Sequence, residues 1–143
     1  MTDFHRVTPN FSVAGQLTVA DVRRAADEGY KLIVKNRPEN EEPDQPSEAA
    51  MRAAAEAAGI EYRALPFAGP PPPAVVAETA MLMDHPTGPI LAYCRTGRRS
   101  VTAWALAEAL SGRTAPDEIL AHAAAAGYDL NGMRDVLESL APG

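Results

Sequence analysis

The stretch Pro89-Ile90-Leu91-Ala92-Tyr93-Cys94-Arg95-Thr96-Gly97-Arg98-Arg99-Ser100 limits the fold of this chain more than any other. Pro89–Tyr93 is apolar and too short for a helix, so it reads as a buried strand. Ser100–Leu110 is apolar on most faces and reads as a helix covered on several sides. A buried strand that passes through one glycine-containing loop into a covered helix is a unit of an α/β fold.

The same alternation runs along the chain. Phe11–Ala14 reads as a short strand. Gln16–Glu28 reads as a helix, with Thr18 and Asp21 spaced as a capping pair, Val19, Val22 and Ala26 as its apolar stripe, and Gly29 as its stop. Lys31–Asn36 and Ile60–Pro66 read as strands, Ser47–Ala58 as an Ala-rich helix ended by Gly59, and Ala74–Asp84 as a further helix. Pro116–Ala126 and Asn131–Leu140 close the chain as helices. Arg37–Pro46 is a loop dense in proline and acid, and Gly69–Pro73 a stiff surface turn. The expected architecture is one three-layer α/β domain over residues 1–143, a mostly parallel central sheet flanked by helices. Ligands of such sheets bind beyond the carboxyl ends of the strands. The loops after Asn36, Pro66 and Tyr93 therefore share the functional edge, and Asp84 and His85 fall on the other.

Charge narrows the partners. The chain carries 13 Lys and Arg against 19 Asp and Glu, a net charge of −6, so the basic footprint of a nucleic-acid binder is missing. Yet Arg95, Arg98 and Arg99 crowd one loop, and a positive pocket in an acidic molecule points to capture of a small anion. No apolar run approaches the ~20 residues that span a bilayer. The start shows no basic stretch followed by an apolar one, and one cysteine makes neither an internal disulfide nor a Cys-rich metal site. His5, His85 and His122 lack metal-ligand spacing and read as surface or capping residues. The expectation is a cytoplasmic protein with Cys94 reduced, without metal, cofactor, membrane or nucleic-acid partner.

The loop itself carries the chemistry. After a strand and before a helix, its amides converge while the helix points its N-terminus at the same spot. Arg95, Thr96, Gly97, Arg98 and Ser100 are the candidate anion-binding residues, with Gly97 free to take a conformation other residues resist. In that field the Cys94 thiol is expected to ionise more readily and to act as a nucleophile, and Arg99 to fork onto an oxyanion. Ser100 is expected either to hydrogen-bond the sulfur or to cap the helix. The plainer alternatives are an inert core cysteine and idle surface arginines at 95 and 98.

Cys-x4-Arg-Ser after a short apolar strand resembles both the cysteine-dependent protein phosphatases and the rhodanese sulfurtransferases. The wider chain separates the two. Val13–Leu17, Ile33–Glu39, Gly59–Tyr62, Pro89–Arg95 and Gly127–Asp129 resemble the phosphatase-like domain of the bacterial beta-lactamase-hydrolase-like family. That resemblance implies a dual-specificity phosphatase fold, with Cys94 as nucleophile and Arg99 as the oxyanion clamp. It also implies a small oxyanion or phosphoester substrate, a phosphoprotein included. A rhodanese entry signature is missing, and Asp21-Val22-Arg23 lies in an expected helix.

Three departures stand against the phosphatase pattern. The loop is one residue shorter than Cys-x5-Arg and has the rhodanese size. Tyr93 stands where phosphatases usually carry His. The stretch 66–73, which supplies the general acid Asp in dual-specificity enzymes, contains no acid. A substitute acid is sought in the loop after Asn36, which carries Glu39, Glu41, Glu42 and Asp44, with Asp44 or Glu42 the preferred candidate, against the plain reading of a solvated acidic turn. The leading expectation is phosphate-ester hydrolysis through a Cys94 thiophosphate. The alternatives are rhodanese-like sulfur transfer through a Cys94 persulfide, and a non-catalytic anion- or partner-binding domain.

Overall fold

The structure is a computed structural model, described here for residues 2–84 and 88–142. Its strands are β1 (His5–Thr8), β2 (Phe11–Ala14), β3 (Leu32–Lys35), β4 (Glu61–Ala64) and β5 (Ile90–Tyr93). Its helices are α1 (Val19–Asp27), α2 (Glu48–Ala58), α3 (Pro73–Asp84), α4 (Arg98–Ser111), α5 (Pro116–Ala125) and α6 (Arg134–Leu140). The sheet order is β1-β2-β5-β3-β4, parallel throughout except for β1, which pairs antiparallel with β2. The mostly parallel, helix-flanked sheet is as the alternation requires.

Side chains alternate across the central strands and so feed two cores. Leu32, Val34, Ile90 and Ala92 face the larger core, which includes residues of α3 to α6 and Trp104 of α4. Ile33, Leu91 and Tyr93 face the other, closed by Leu17 and by Val22 and Ala25 of α1 and Met51 and Ala55 of α2. Burial on both sheet faces explains why β3 and β5 are near-continuous apolar runs.

Capping residues set several boundaries. Thr18 and Asp21 form a reciprocal capping box, so α1 begins at Val19 rather than Gln16. Ser47 caps α2, and Gly59 ends it in the left-handed region. Strand β1 has no counterpart in the sequence reading. Its four residues alternate weakly, and only antiparallel pairing with β2 makes a strand of them. A short 3-10 turn, Asn131–Met133, precedes α6 where the sequence reads as one helix.

The register lines up the functional edge. Ala14, Tyr93, Lys35 and Ala64 form one row across β2, β5, β3 and β4. The next backbone amides carry the pairing one step further: Cys94 donates to the Ala14 carbonyl at 3.2 Å, Asn36 to Tyr93 at 2.8 Å, and Leu65 to Lys35 at 2.8 Å. The loops after β5, β3 and β4 therefore leave the sheet side by side.

Candidate active site

Cys94 lies one residue past β5 and is buried, at 1% exposure. Its sulfur is turned into the loop, where it accepts the Gly97 amide at 3.0 Å. Gly97 is the N-cap of α4 at φ +93°, a backbone that favours glycine. A Cβ there would collide with the Tyr128 hydroxyl. Helix α4 begins at Arg98, and the amides of its first turn have no acceptor within the helix. Sulfur, tight turn and helix N-terminus thus converge on one point.

Neighbouring chain clamps the loop. Tyr128 donates its hydroxyl to the Thr96 carbonyl at 2.9 Å, and the Gln16 amide donates to the Arg95 carbonyl at 3.3 Å. Gly15 packs so close that a Cβ would stand 3.0 Å from the Arg95 carbonyl oxygen. Burial pushes the Tyr128 phenol above its ordinary range, with a further push from charge on Cys94. The phenol therefore stays a donor at neutral pH.

Arg99 reaches back across the loop. Its Nη1 donates to Glu41 Oε2 at 3.0 Å and to the Phe67 carbonyl at 3.1 Å, and its Nη2 to Glu41 Oε1 at 2.8 Å. Of its five N–H groups, the Nε hydrogen and one on Nη2 have no protein partner among the described residues. They lie on one edge of the guanidinium, a fork suited to an oxyanion. Glu41 is held below its ordinary carboxylate range, first by the Arg99 bond, then, against its desolvation, by Arg37. Arg37 is buried at 3% exposure and donates to Glu41 at 2.9 Å, Glu42 at 3.2 Å and Gln16 at 3.0 Å.

Several expected residues stand elsewhere than the sequence reading puts them. The Ser100 hydroxyl neither hydrogen-bonds the sulfur nor caps the helix. Fully buried, it donates to Asn36 Oδ1 at 2.8 Å, while Asn36 Nδ2 donates to the Leu65 carbonyl at 3.1 Å. Asp44 is exposed in the turn and makes no bond to the loop, so the carboxylate brought to Arg99 is Glu41 instead. The turn Glu39–Gln45 curls so that its first acids, not its last, face the sheet edge. Glu42 does reach the site, but as the partner of Arg37 and Arg95, the latter at 3.0 Å. Arg95 is exposed, and Arg98 donates from Nη2 to the Asp129 carbonyl at 3.0 Å. Tyr93 points away into the α1–α2 core, where its hydroxyl lies 2.7 Å from that of Tyr62.

Arg37, Asn36 and Tyr128 are site residues that the sequence does not single out, and Glu41 is a loop acid ranked there below Asp44 and Glu42. A signal existed for Arg37: an arginine two residues past a buried strand needs carboxylates, and acids crowd the next five positions. His5 lies edge-on to Tyr128 and His122 edge-on to Trp104, while His85 lies outside the described residues. Among the described residues there is no cluster of His, Cys, Asp and Glu able to hold a metal ion, and no helix long and apolar enough to cross a membrane. A cavity of about 240 Å³ at the opposite edge is lined by Phe11, Ile90, Trp104 and Glu108 among others and lies away from Cys94.

With this geometry in place, residues 3–111 match the family described as beta-lactamase hydrolase-like protein, phosphatase-like domain. The chain belongs to that family. A beta-lactamase hydrolase-like protein of Agrobacterium fabrum is 35% identical over 126 residues, covering 87% of this chain but 29% of the relative. The chain thus corresponds to under a third of the length of that larger protein. A candidate phosphatase from Neisseria meningitidis, known as a crystal structure, is 33% identical with a TM-score of 0.81, over 94% of this chain and 96% of that one. PTPMT1, solved in complex with PI(5)P, shares the fold at a TM-score of 0.74 and 19% identity, over 96% of this chain and 93% of its own. The phosphatase-like domain is therefore of the tyrosine and dual-specificity phosphatase fold, and these likenesses support a cysteine-phosphatase type of function.

Proposed function

We propose that the domain hydrolyses phosphate esters through a covalent thiophosphate on Cys94. The observation that carries this reading is the Cys94 sulfur on the Gly97 amide, inside a loop whose far side presents the free edge of Arg99. The sulfur attacks phosphorus and the bond to the leaving oxygen breaks. The loop amides and Arg99 hold the non-bridging oxygens as charge builds on them. Water then attacks phosphorus, the S–P bond breaks, and phosphate leaves with the thiolate restored.

Among the described residues, no acid stands in the stretch that would protonate the leaving oxygen. Residues 66–73 contain no acid, Glu41 is held ionised, and Asp44 stands apart. General acid catalysis is typically worth ~10²–10⁴ in rate, so esters with good leaving groups are favoured over alkyl esters. Asp44→Asn tests any residual acid role. A slowing of alkyl esters greater than that of nitrophenyl esters restores Asp44 to the mechanism; an equal effect on both removes it.

The same absence favours a second reading. Sulfur transfer needs a thiolate and a compact anion cradle but no acid, and the Cys-x4-Arg loop has the shorter size of sulfurtransferases. Here the Cys94 thiolate would take the outer sulfur of thiosulfate, releasing sulfite, and cyanide would remove it as thiocyanate.

The assay pairs a nitrophenyl phosphate with thiosulfate plus cyanide, each run beside Cys94→Ser. Phosphate release that vanishes in the variant supports the first reading, and Cys94-dependent thiocyanate supports the second. Turnover in neither assay leaves a binding domain.

A further inference from the structure

The cations around the cradle are not equally neutralised. Arg37 and Arg99 bond Glu41, Arg37 and Arg95 bond Glu42, and Lys35 bonds Glu39 and Glu48. Arg98 alone of this group has no carboxylate partner among the described residues. Its one bond, from Nη2 to the Asp129 carbonyl, fixes the guanidinium without cancelling its charge.

Two clefts flank Arg99, each of about 260 Å³. The one toward Arg37 and Arg95 also holds Glu41 and Glu42, so its charges nearly balance. The one toward Phe67, Pro70 and Pro71 holds Arg98 and Arg99 and no acid. The stretch that gives up a general acid thereby leaves this cleft positive, in a chain of net charge −6. Such a cleft focuses the field and draws anions toward it.

From this asymmetry we infer that the substrate is a small molecule with two anionic groups, one transferred at Cys94 and a second read by Arg98. Its body lies along the Phe67–Pro71 wall, whose proline rings are rigid and apolar and fit a short aromatic or aliphatic spacer. The inference rests on the reading of the Cys94 loop as the cradle of a phosphate ester. Arg98 then selects substrate, whereas Arg99 holds the reacting group.

The test is binding to Cys94→Ser protein, which needs no turnover. Calorimetry compares phenyl phosphate with 3-carboxyphenyl phosphate, equal in body and different by one carboxylate. The carboxylated ester is expected to bind roughly tenfold more tightly, the size of one charge-assisted contact. Adding Arg98→Gln is expected to collapse that ratio to about one, and Arg98→Lys to retain part of it. Equal binding of the two esters, or a preference that survives Arg98→Gln, overturns the inference while leaving the cradle standing. Binding of neither ester overturns the cradle reading and the inference with it.

Discussion

Glu41 decides how Arg99 can work. By donor count it takes one face of the guanidinium and leaves the Nε edge for substrate, so it steers the arginine rather than blocking it. Glu41→Gln is therefore expected to weaken oxyanion binding to Cys94→Ser protein by about tenfold, as one charge-assisted pair is lost; tighter binding would make Glu41 a plug instead. The bond also has a pH signature. A carboxyl depressed below its ordinary 4.5 in the fold adds stability above that value, and loses it as pH falls through the folded one. The stability gap between wild type and Glu41→Gln should be open at pH 7 and shrink as pH falls below 4.5, as read by denaturant unfolding; a gap that widens with acid would contradict the pairing. Gly97 is equally specific. Gly97→Ala sets a side chain on a left-handed backbone, at ~1–2 kcal/mol, and against the Tyr128 hydroxyl. It should lower the melting temperature and abolish Cys94-dependent turnover; a variant with both intact would show that the loop tolerates another path.

At the scale of elements, the Ser100–Asn36–Leu65 chain joins three. Ser100 lies in α4, Asn36 just past β3 and Leu65 just past β4, so one buried hydroxyl and one amide fix the loop that follows each strand. Ser100→Ala should cost about 1–3 kcal/mol in unfolding free energy, because Asn36 Oδ1 is left buried without its donor. A loss below about 0.5 kcal/mol would mean that the amide finds another partner. These links mark where sequence reading stops. The strands, the capped helices and the Cys94 loop were legible because each is a local pattern: an apolar run, a Thr18–Asp21 pair, a glycine at a turn. The partner of the Ser100 hydroxyl is not legible in the sequence, because it lies 64 residues away. Glu41 was passed over for Asp44 because the curl of an acidic turn follows from where buried Arg37 sits, not from the turn's own sequence. Strand β1 was invisible for the same reason, since its pairing with β2 and not its composition makes it a strand.

Across the whole molecule, two packed faces hold the loops in register. The α4 helix behind the site is its center, and Trp104 is its largest buried side chain, at 1% exposure, tilted against Phe11 and edge-on to His122. Trp104→Ala should cost ~3–5 kcal/mol by denaturant unfolding, and an unchanged midpoint would refute the assigned packing. Such a cavity loosens the helix whose first turn closes the cradle, so binding should weaken along with stability. The account as a whole depends on one bond forming at one sulfur. Protein quenched during turnover of nitrophenyl phosphate, digested and weighed by mass spectrometry, tests it directly. The account predicts one phosphoryl group on the peptide that contains Cys94, absent when quenching follows exhaustion of the ester. Steady phosphate release with that peptide always unmodified would contradict it.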